Sequence, residues 1–290
     1  MSTSAVTRPD TAYLRPGDVA AALRARAEHP DWLVLAGGTD VMVDTRLRDA
    51  TAGVLDVFGL AGLRGIGRDG NGIRIGAATT YSDLLADPLV RDLLPALHAA
   101  AVDVGSLQIR ERGTVGGNVT TSSPVGDLLP PLLALDAAVL LGSVRGERLV
   151  PYAGFCTGYR TTVLEPDELV LAVVLPVPAP GTVQHWRKVG TRAAQAISKV
   201  AFAGAARLEA GRAVGVRLAF GGVADRPVRL TDVEALVEGV RPTAAVAAEV
   251  RRAAAAAVRP LDDLRSTAEY RTHVTGALAA RFVLELAAGA

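Results

Sequence analysis

The spacing of apolar and polar positions changes character several times along the chain. Residues 19–28 carry apolar side chains at helical intervals behind Asp18, a good N-cap, and His29-Pro30 closes that helix. Residues 32–43 (WLVLAGGTDVMV) predict a buried strand, a glycine turn and a further apolar segment. Residues 54–57 and 73–76 predict short strands, and residues 79–85 begin a helix capped by Thr80 or Ser82. Residues 89–104 predict one helix, and a second, rich in Pro and Leu, runs to Leu135. Residues 137–141 and 148–151 predict a β pair around a turn at 142–146. A strand at 168–175 ends in PVPAPG (residues 176–181), whose prolines and glycine mark a domain boundary. Residues 183–189, 197–209 and 213–223 then predict strands, with EAGR (209–212) as a hairpin turn. From Thr231 the pattern is helical and Ala-rich, interrupted at Pro242 and Pro260. The second part therefore reads as a small antiparallel sheet followed by helices, an α+β unit.

Composition narrows the function classes. A length of 290 residues accommodates two domains, and 50% hydrophobic residues supply a sizeable core. The net charge is +1, from 31 basic and 30 acidic residues, which leaves no electrostatic footprint for nucleic acid or an anionic membrane. The densest basic pair, Arg251 and Arg252, reads as the solvated face of an Ala-rich helix. The single cysteine, Cys156, excludes a disulfide framework, cysteine-ligated zinc or an iron–sulfur cluster within the chain, and reads as a small buried apolar residue. His29, His98, His185 and His273 share no ligand-like spacing, so no metal is expected. The N-terminus lacks the apolar core of a signal peptide, and no run approaches the ~20 apolar residues that span a bilayer. The expectation is a soluble, cytoplasmic protein with no membrane insertion.

Chemistry enters at residues 114–130 (TVGGNVTTSSPVGDLLP). This run sets two adjacent glycines, Asn118, four consecutive hydroxyl residues and Asp127 in one mostly uncharged segment. Glycine admits close approach of the main chain, successive N–H groups form an anion-sized concavity, and hydroxyls add donors. A pyrophosphate cradle for a nucleotide cofactor is the reading. Gly37, Gly38, Thr39 and Asp40, directly after a predicted strand, supply a second phosphate loop or a plain tight turn. Two such loops fit a cofactor with two phosphates and two large ends better than a mononucleotide. GIGRDG (residues 65–70) matches the dinucleotide fingerprint GxGxxG, but Asp69-Gly70-Asn71-Gly72 is hairpin chemistry and the following IRIGA alternates like a strand. That motif is set aside.

AGGTD together with QIRERGTVGGNVTTSSPVGDLLP resembles the FAD-binding (medium) subunit of the molybdenum hydroxylases, of the xanthine dehydrogenase and carbon monoxide dehydrogenase type. IRIGAATTYSDL, FCTGYRTTVLEPDEL, KVGTRAAQAISKV and DLRSTAEYR extend the resemblance over the whole chain, and KVGTRAAQAISKV leans towards xanthine dehydrogenase members. The resemblance implies an α+β architecture: a vanillyl-alcohol-oxidase (PCMH)-type FAD domain over residues 1–178, then a smaller α+β domain over 179–290. It implies that Val34, Leu35, Ala36, Gly37, Gly38, Thr39, Asp40 and Val41 wrap the pyrophosphate. Thr114, Gly116, Gly117, Asn118 and Thr121 would hold phosphate and ribitol, and Ser123 and Asp127 would lie along the ribityl chain and ring. Val170 would contact the adenine or ring edge, and Lys188 would reach the flavin from the second domain and raise its potential. Asp127 serves equally as a helix cap near Leu128, and Gln195 and Ser198 serve the fold. Some relatives carry a flavin-stacking aromatic before the TVGG turn. Residues 102–113 have none, which leaves Tyr159, an aliphatic side chain or a partner to cover the ring. The implied partners are a molybdopterin-binding large subunit and a [2Fe-2S] small subunit, in a hetero-oligomer such as a dimer of heterotrimers, with NAD, quinone or oxygen as acceptor. The alternative is a stand-alone FAD-dependent oxidase or dehydrogenase acting directly on a small molecule.

Overall fold

The computed structural model describes residues 11–43, 52–193 and 195–289. Strands β1 (Ala12–Leu14), β2 (Leu33–Leu35) and β3 (Gly53–Asp56) form a parallel sheet in the order β1-β3-β2. The helix Val19–Glu28 crosses from β1 to β2, and the Asp18 carboxylate accepts the Ala21 N–H at 2.7 Å, the cap its sequence predicts. Ala22 and Ala25 of that helix are buried with Leu55, Leu63, Leu169 and Leu171.

The chain continues through β4 (Ile66–Asp69), β5 (Gly72–Gly76), β6 (Ala138–Ser143), β7 (Gly146–Pro151), a short hairpin of β8 (Cys156–Gly158) and β9 (Thr161–Thr162), and β10 (Leu169–Pro176). Apart from that hairpin, these strands make a five-stranded antiparallel sheet in the order β4-β5-β10-β6-β7. GIGRDG is the β4–β5 hairpin, with Gly70 at φ 55°, as the alternation after it predicts.

Between β5 and β6 lies a run of short helices. Tyr81–Ala86 opens with a capping box, in which Thr80 and Asp83 satisfy each other's backbone N–H. The single helix expected over 89–104 is two, Pro88–Leu93 and Pro95–Asp103. Pro95 has no N–H to continue the ladder and its ring crowds the preceding turn, so the chain breaks at Leu94 and restarts with Pro95 at its first turn.

The C-terminal part is a second antiparallel sheet, β11 (Val183–Val189), β12 (Val200–Glu209), β13 (Arg212–Gly221) and β14 (Val228–Arg229), in sequential order. Ala210 and Gly211, both left-handed (φ 48° and 76°), make the expected β12–β13 turn. Side chains on β12 alternate between two cores. Val200, Phe202 and Ala206 join the helices Ala244–Ala257 and Ala268–Ala288, while Ala203 and Ala205 join the core under the five-stranded sheet. The small alanines let the helices Pro95–Asp103 and Leu129–Ala134 seat close against this second face. Among the described residues, no helix is long and apolar enough to cross a membrane.

His185 ties β11 to the last helix. Its ring lies 5.8 Å from that of Phe202 and 6.2 Å from that of Phe282, and Nδ1 is 2.8 Å from Glu285 Oε2. Burial depresses the imidazole pKa below its ordinary 6.5, with Arg281 and Arg187 acting in the same direction and Glu285 against them. The unfolded chain therefore binds a proton that the folded chain resists. The contribution of His185 is fully present above pH 6.5 and declines as pH falls through the depressed folded value. Urea denaturation from pH 8 to pH 5 is expected to show a fall in stability that is smaller in His185→Gln than in the parent.

Candidate functional site

Three segments with closely approaching main chains build one cleft. The first is the turn at residues 37–41, after β2. The second is the glycine-and-hydroxyl run, whose first part is the helix Val115–Thr121 and not an open loop. Thr114 caps it, with Oγ1 accepting the Gly117 N–H at 3.1 Å. The third is the tip of the β8–β9 hairpin, Tyr159 and Arg160, which also line the cleft.

Glycine is required where the first two segments pack against the main chain around them. A Cβ on Gly37 would lie 1.7 Å from the Arg112 carbonyl oxygen, and one on Gly116 would lie 2.7 Å from the Ala77 Cβ. Gly38 sits at φ 75°, in the left-handed region.

The two glycine loops differ in their free donors. In the Val115–Thr121 helix, Val115 N–H donates to Thr79 O (3.0 Å), Gly116 N–H to Ala77 O (2.8 Å) and Asn118 N–H to Thr114 O (3.0 Å). The concavity of free amides expected there is absent because the protein consumes those donors itself. At residues 37–41 the N–H groups of Gly37, Gly38, Thr39, Asp40 and Val41 donate to no acceptor among the described residues. The unsatisfied donors that suit an anion are on this turn.

The cleft has a volume of about 1140 Å³, and Val34, Ala36, Gly37, Gly38, Thr39, Asp40, Val41, Thr114, Gly116, Gly117, Asn118, Thr121, Ser123 and Val170 line it. That volume exceeds the ~300–1,000 Å³ of ordinary small-molecule sites and suits a dinucleotide. Asn118 Oδ1 is buried and accepts no hydrogen bond, a cost that a ligand donor would remove. The free amides, the glycine contacts and this orphaned carbonyl together fit a diphosphate-bearing cofactor.

Leu35, Asp127 and Lys188 lie outside the lining. Lys188 Nζ donates to Asp127 Oδ2 at 2.5 Å and to the Asp103 carbonyl at 3.0 Å. Ser198 Oγ donates to Asp127 Oδ1 at 2.6 Å, and Trp186 Nε1 to Asp103 Oδ2 at 2.8 Å. Burial pushes the Asp127 carboxyl up, against the lowering effect of Lys188 and Ser198. Asp127 does not cap a helix: the helix Leu129–Ala134 starts after Leu128 with no side-chain cap. The pair instead joins the first part of the chain to β11, and Asp127 borders a smaller cleft of about 340 Å³ with Ser106, Ile109 and Ile197. Ser198 serves this pair, and Gln195 holds a left-handed turn (φ 51°).

The sequence reading passed over several lining residues. Arg26 and Trp32 line the cleft, Nη1 of Arg26 donating to the Trp32 carbonyl at 2.8 Å. Tyr81 is buried in the wall, and burial raises its hydroxyl pKa. Arg271 also lines it, donating to the Lys199 and Gly222 carbonyls and to Asp263, each at 2.8 Å. No spacing in the sequence links these residues to the glycine loops. Cys156 is buried, accepting from Ser122 Oγ at 2.9 Å and donating to Tyr152 Oη at 3.4 Å.

Fold and cleft define a dinucleotide-binding protein without a Rossmann turn, and comparison with known proteins says which kind. The family model of the FAD binding domain in molybdopterin dehydrogenase matches residues 7–178, and that of the CO dehydrogenase flavoprotein C-terminal domain matches residues 185–286. The chain is 34% identical over 282 residues to the xanthine dehydrogenase FAD-binding subunit of Escherichia coli O157:H7, covering 96% of each chain. It is 31% identical over 281 residues to the glyceraldehyde dehydrogenase medium chain of Sulfolobus acidocaldarius, covering 96% of this chain and 99% of the relative. A solved carbon monoxide dehydrogenase from Hydrogenophaga pseudoflava superposes with a TM-score of 0.91 at 30% identity, covering 97% of this chain and 98% of the other. The chain belongs to the FAD-binding flavoprotein family of the molybdopterin dehydrogenases; it is an oxidoreductase flavoprotein with the expected α+β fold, and its cofactor is FAD.

Two outcomes follow for variants. Gly37→Ala is expected to lose FAD on purification, while Gly117→Ala, whose Cβ would meet only Thr114 Oγ1 at 3.0 Å, retains more. The ratio of flavin to protein absorbance measures both. Lys188→Met leaves the Asp127 charge buried and unpaired and is expected to cost about 3–5 kcal/mol in urea denaturation. Adding Asp127→Asn is expected to recover more than half of that loss.

Proposed function

We propose that this chain is the electron-transfer flavoprotein of a molybdenum hydroxylase complex. A molybdopterin-binding large subunit would oxidise the substrate, a [2Fe-2S] small subunit would carry single electrons to this chain, and NAD or another acceptor would take them away. FAD, when bound, supplies the junction between one-electron and two-electron chemistry. The chain itself binds, orients and shields.

The observation that carries this reading is the chemistry of the cleft wall. Its polar groups are main-chain amides, hydroxyls, arginines and carboxylates, and among the carboxylates Asp40 is paired with Arg160, Glu168 with Arg148 and Asp263 with Arg271. The amides and hydroxyls are groups that bind and orient a phosphorylated cofactor. The medium-chain names of the relatives support a place in a multi-subunit assembly. The two family matches support a division near residue 178 into an FAD domain and a C-terminal domain. The net charge of +1 supports a protein without a nucleic-acid partner.

Within this reading, the 37–41 turn offers its amides to the diphosphate, and Asn118 and Thr121 offer side chains to the phosphate or ribityl hydroxyls. Val34 and Val170 provide apolar wall. Lys188 acts together with Asp127 as an ion pair.

Co-expression with molybdopterin and [2Fe-2S] subunits tests the assignment. The expected product is a stable complex with equimolar FAD in this chain, whose flavin is reduced only when the cluster-bearing subunit is present. A yellow, isolated chain that oxidises a small molecule without partners would establish the stand-alone alternative.

A further inference from the structure

We propose that Arg160 is a positioning residue for the cofactor diphosphate, acting through Asp40. The inference rests on the FAD reading above and goes beyond it by naming the cation that makes the free amides usable.

Asp40 belongs to the 37–41 turn and lines the cleft, so its carboxylate shares a wall with the unsatisfied N–H groups. An ionised carboxylate there would repel the diphosphate those amides attract. Arg160 Nη1 lies 3.4 Å from Asp40 Oδ2, and Thr121 Oγ1 donates to the same oxygen at 3.5 Å. The carboxylate thus joins the turn, the end of the Val115–Thr121 helix and the β8–β9 tip, and its charge is cancelled by the guanidinium.

The other lining arginines make their hydrogen bonds away from the 37–41 turn, although Nε of Arg26 and of Arg271 is buried without a partner. Arg26 serves the Trp32 carbonyl, Arg271 the Lys199 and Gly222 carbonyls, and Arg265 pairs with Asp263 at 3.4 Å. Among the described lining residues, Arg160 is the arginine whose side chain contacts the 37–41 turn, through Asp40.

Its backbone supports a role for the side chain. Arg160 sits at φ 51°, a left-handed conformation that disfavours any residue with a Cβ. The tip is held from both sides: Arg226 Nη1 donates to the Thr157 carbonyl at 3.2 Å, and Thr161 Oγ1 to the Tyr159 carbonyl at 3.1 Å. The Arg160 and Asp40 side chains are 38% and 44% exposed, so their pair contributes little to folding. Its effect falls on binding of the dianionic cofactor.

The test is FAD titration of the full chain, stripped of flavin, followed by quenching of flavin fluorescence. Arg160→Gln and Arg160→Gly are expected to raise the FAD Kd at least about tenfold without a fall in melting temperature. Arg160→Lys is expected to fall between them and the parent. Asp40→Asn combined with Arg160→Gln removes both charges and is expected to restore most of the affinity. Parent-like affinity in Arg160→Gln, or no recovery in the double variant, overturns the proposal while leaving the FAD reading intact. A parent chain that takes up no FAD, alone or with its partner chains, overturns both.

Discussion

The Gly37 α-carbon lies so near the Arg112 carbonyl that a single added methyl would fall 1.7 Å from its oxygen. This main-chain contact brings the turn after β2 against the end of the helix Leu107–Arg112, immediately before Thr114. Gly116 makes a matching contact with Ala77, and the bridge between Thr80 and Thr114 holds the two strands of the crossing together. Segments far apart in the chain thereby share one wall. Because the helix Val115–Thr121 spends its first amides on Thr79, Ala77 and Thr114, the anion-facing donors fall to the neighbouring turn. The division of labour is clear: one glycine run supplies rigidity and side chains, and the other supplies open amides.

A second constraint fixes the two halves of the chain against each other. One face of β12 presents Ala203 and Ala205 to the core of the first half, and the other presents Val200 and Phe202 to the C-terminal helices. Lys188, Asp127, Ser198 and Asp103 then make a buried polar junction beside the cleft. Asp136, left-handed at φ 50°, accepts from Arg217 and Arg229 and adds a second polar tie. Buried ion pairs contribute little net stability over apolar packing, but breaking one is expensive. Such a junction penalises any arrangement in which the halves are misaligned.

Local signals were the legible part of the sequence. Asp18, a cap at Thr80 or Ser82, the EAGR turn and the hairpin chemistry at residues 69–72 each declare themselves within a few residues, and each is found, the second at Thr80. The candidate site was legible as two glycine runs, and the family resemblance tied them to FAD. Three features escaped. The Val115–Thr121 helix was hidden by glycines and β-branched residues that disfavour helix, and tertiary contacts with Ala77 and Thr79 override that preference. Asp127 looked like a cap because its partner Lys188 is distant in sequence and only the β11 contact brings them together. Arg160 gave no signal, since its value depends on a charge carried by a separate turn.

The central claim is that FAD binds with its diphosphate on the open amides of residues 37–41. Amide hydrogen exchange of the chain with and without FAD tests this most directly. The N–H groups of Gly37, Gly38, Thr39, Asp40 and Val41 are expected to exchange fast without FAD and to become protected with it. Those of Gly116 and Asn118, already bonded within the protein, are expected to be protected in both states. Fast exchange at residues 37–41 in the FAD-loaded chain would contradict the account.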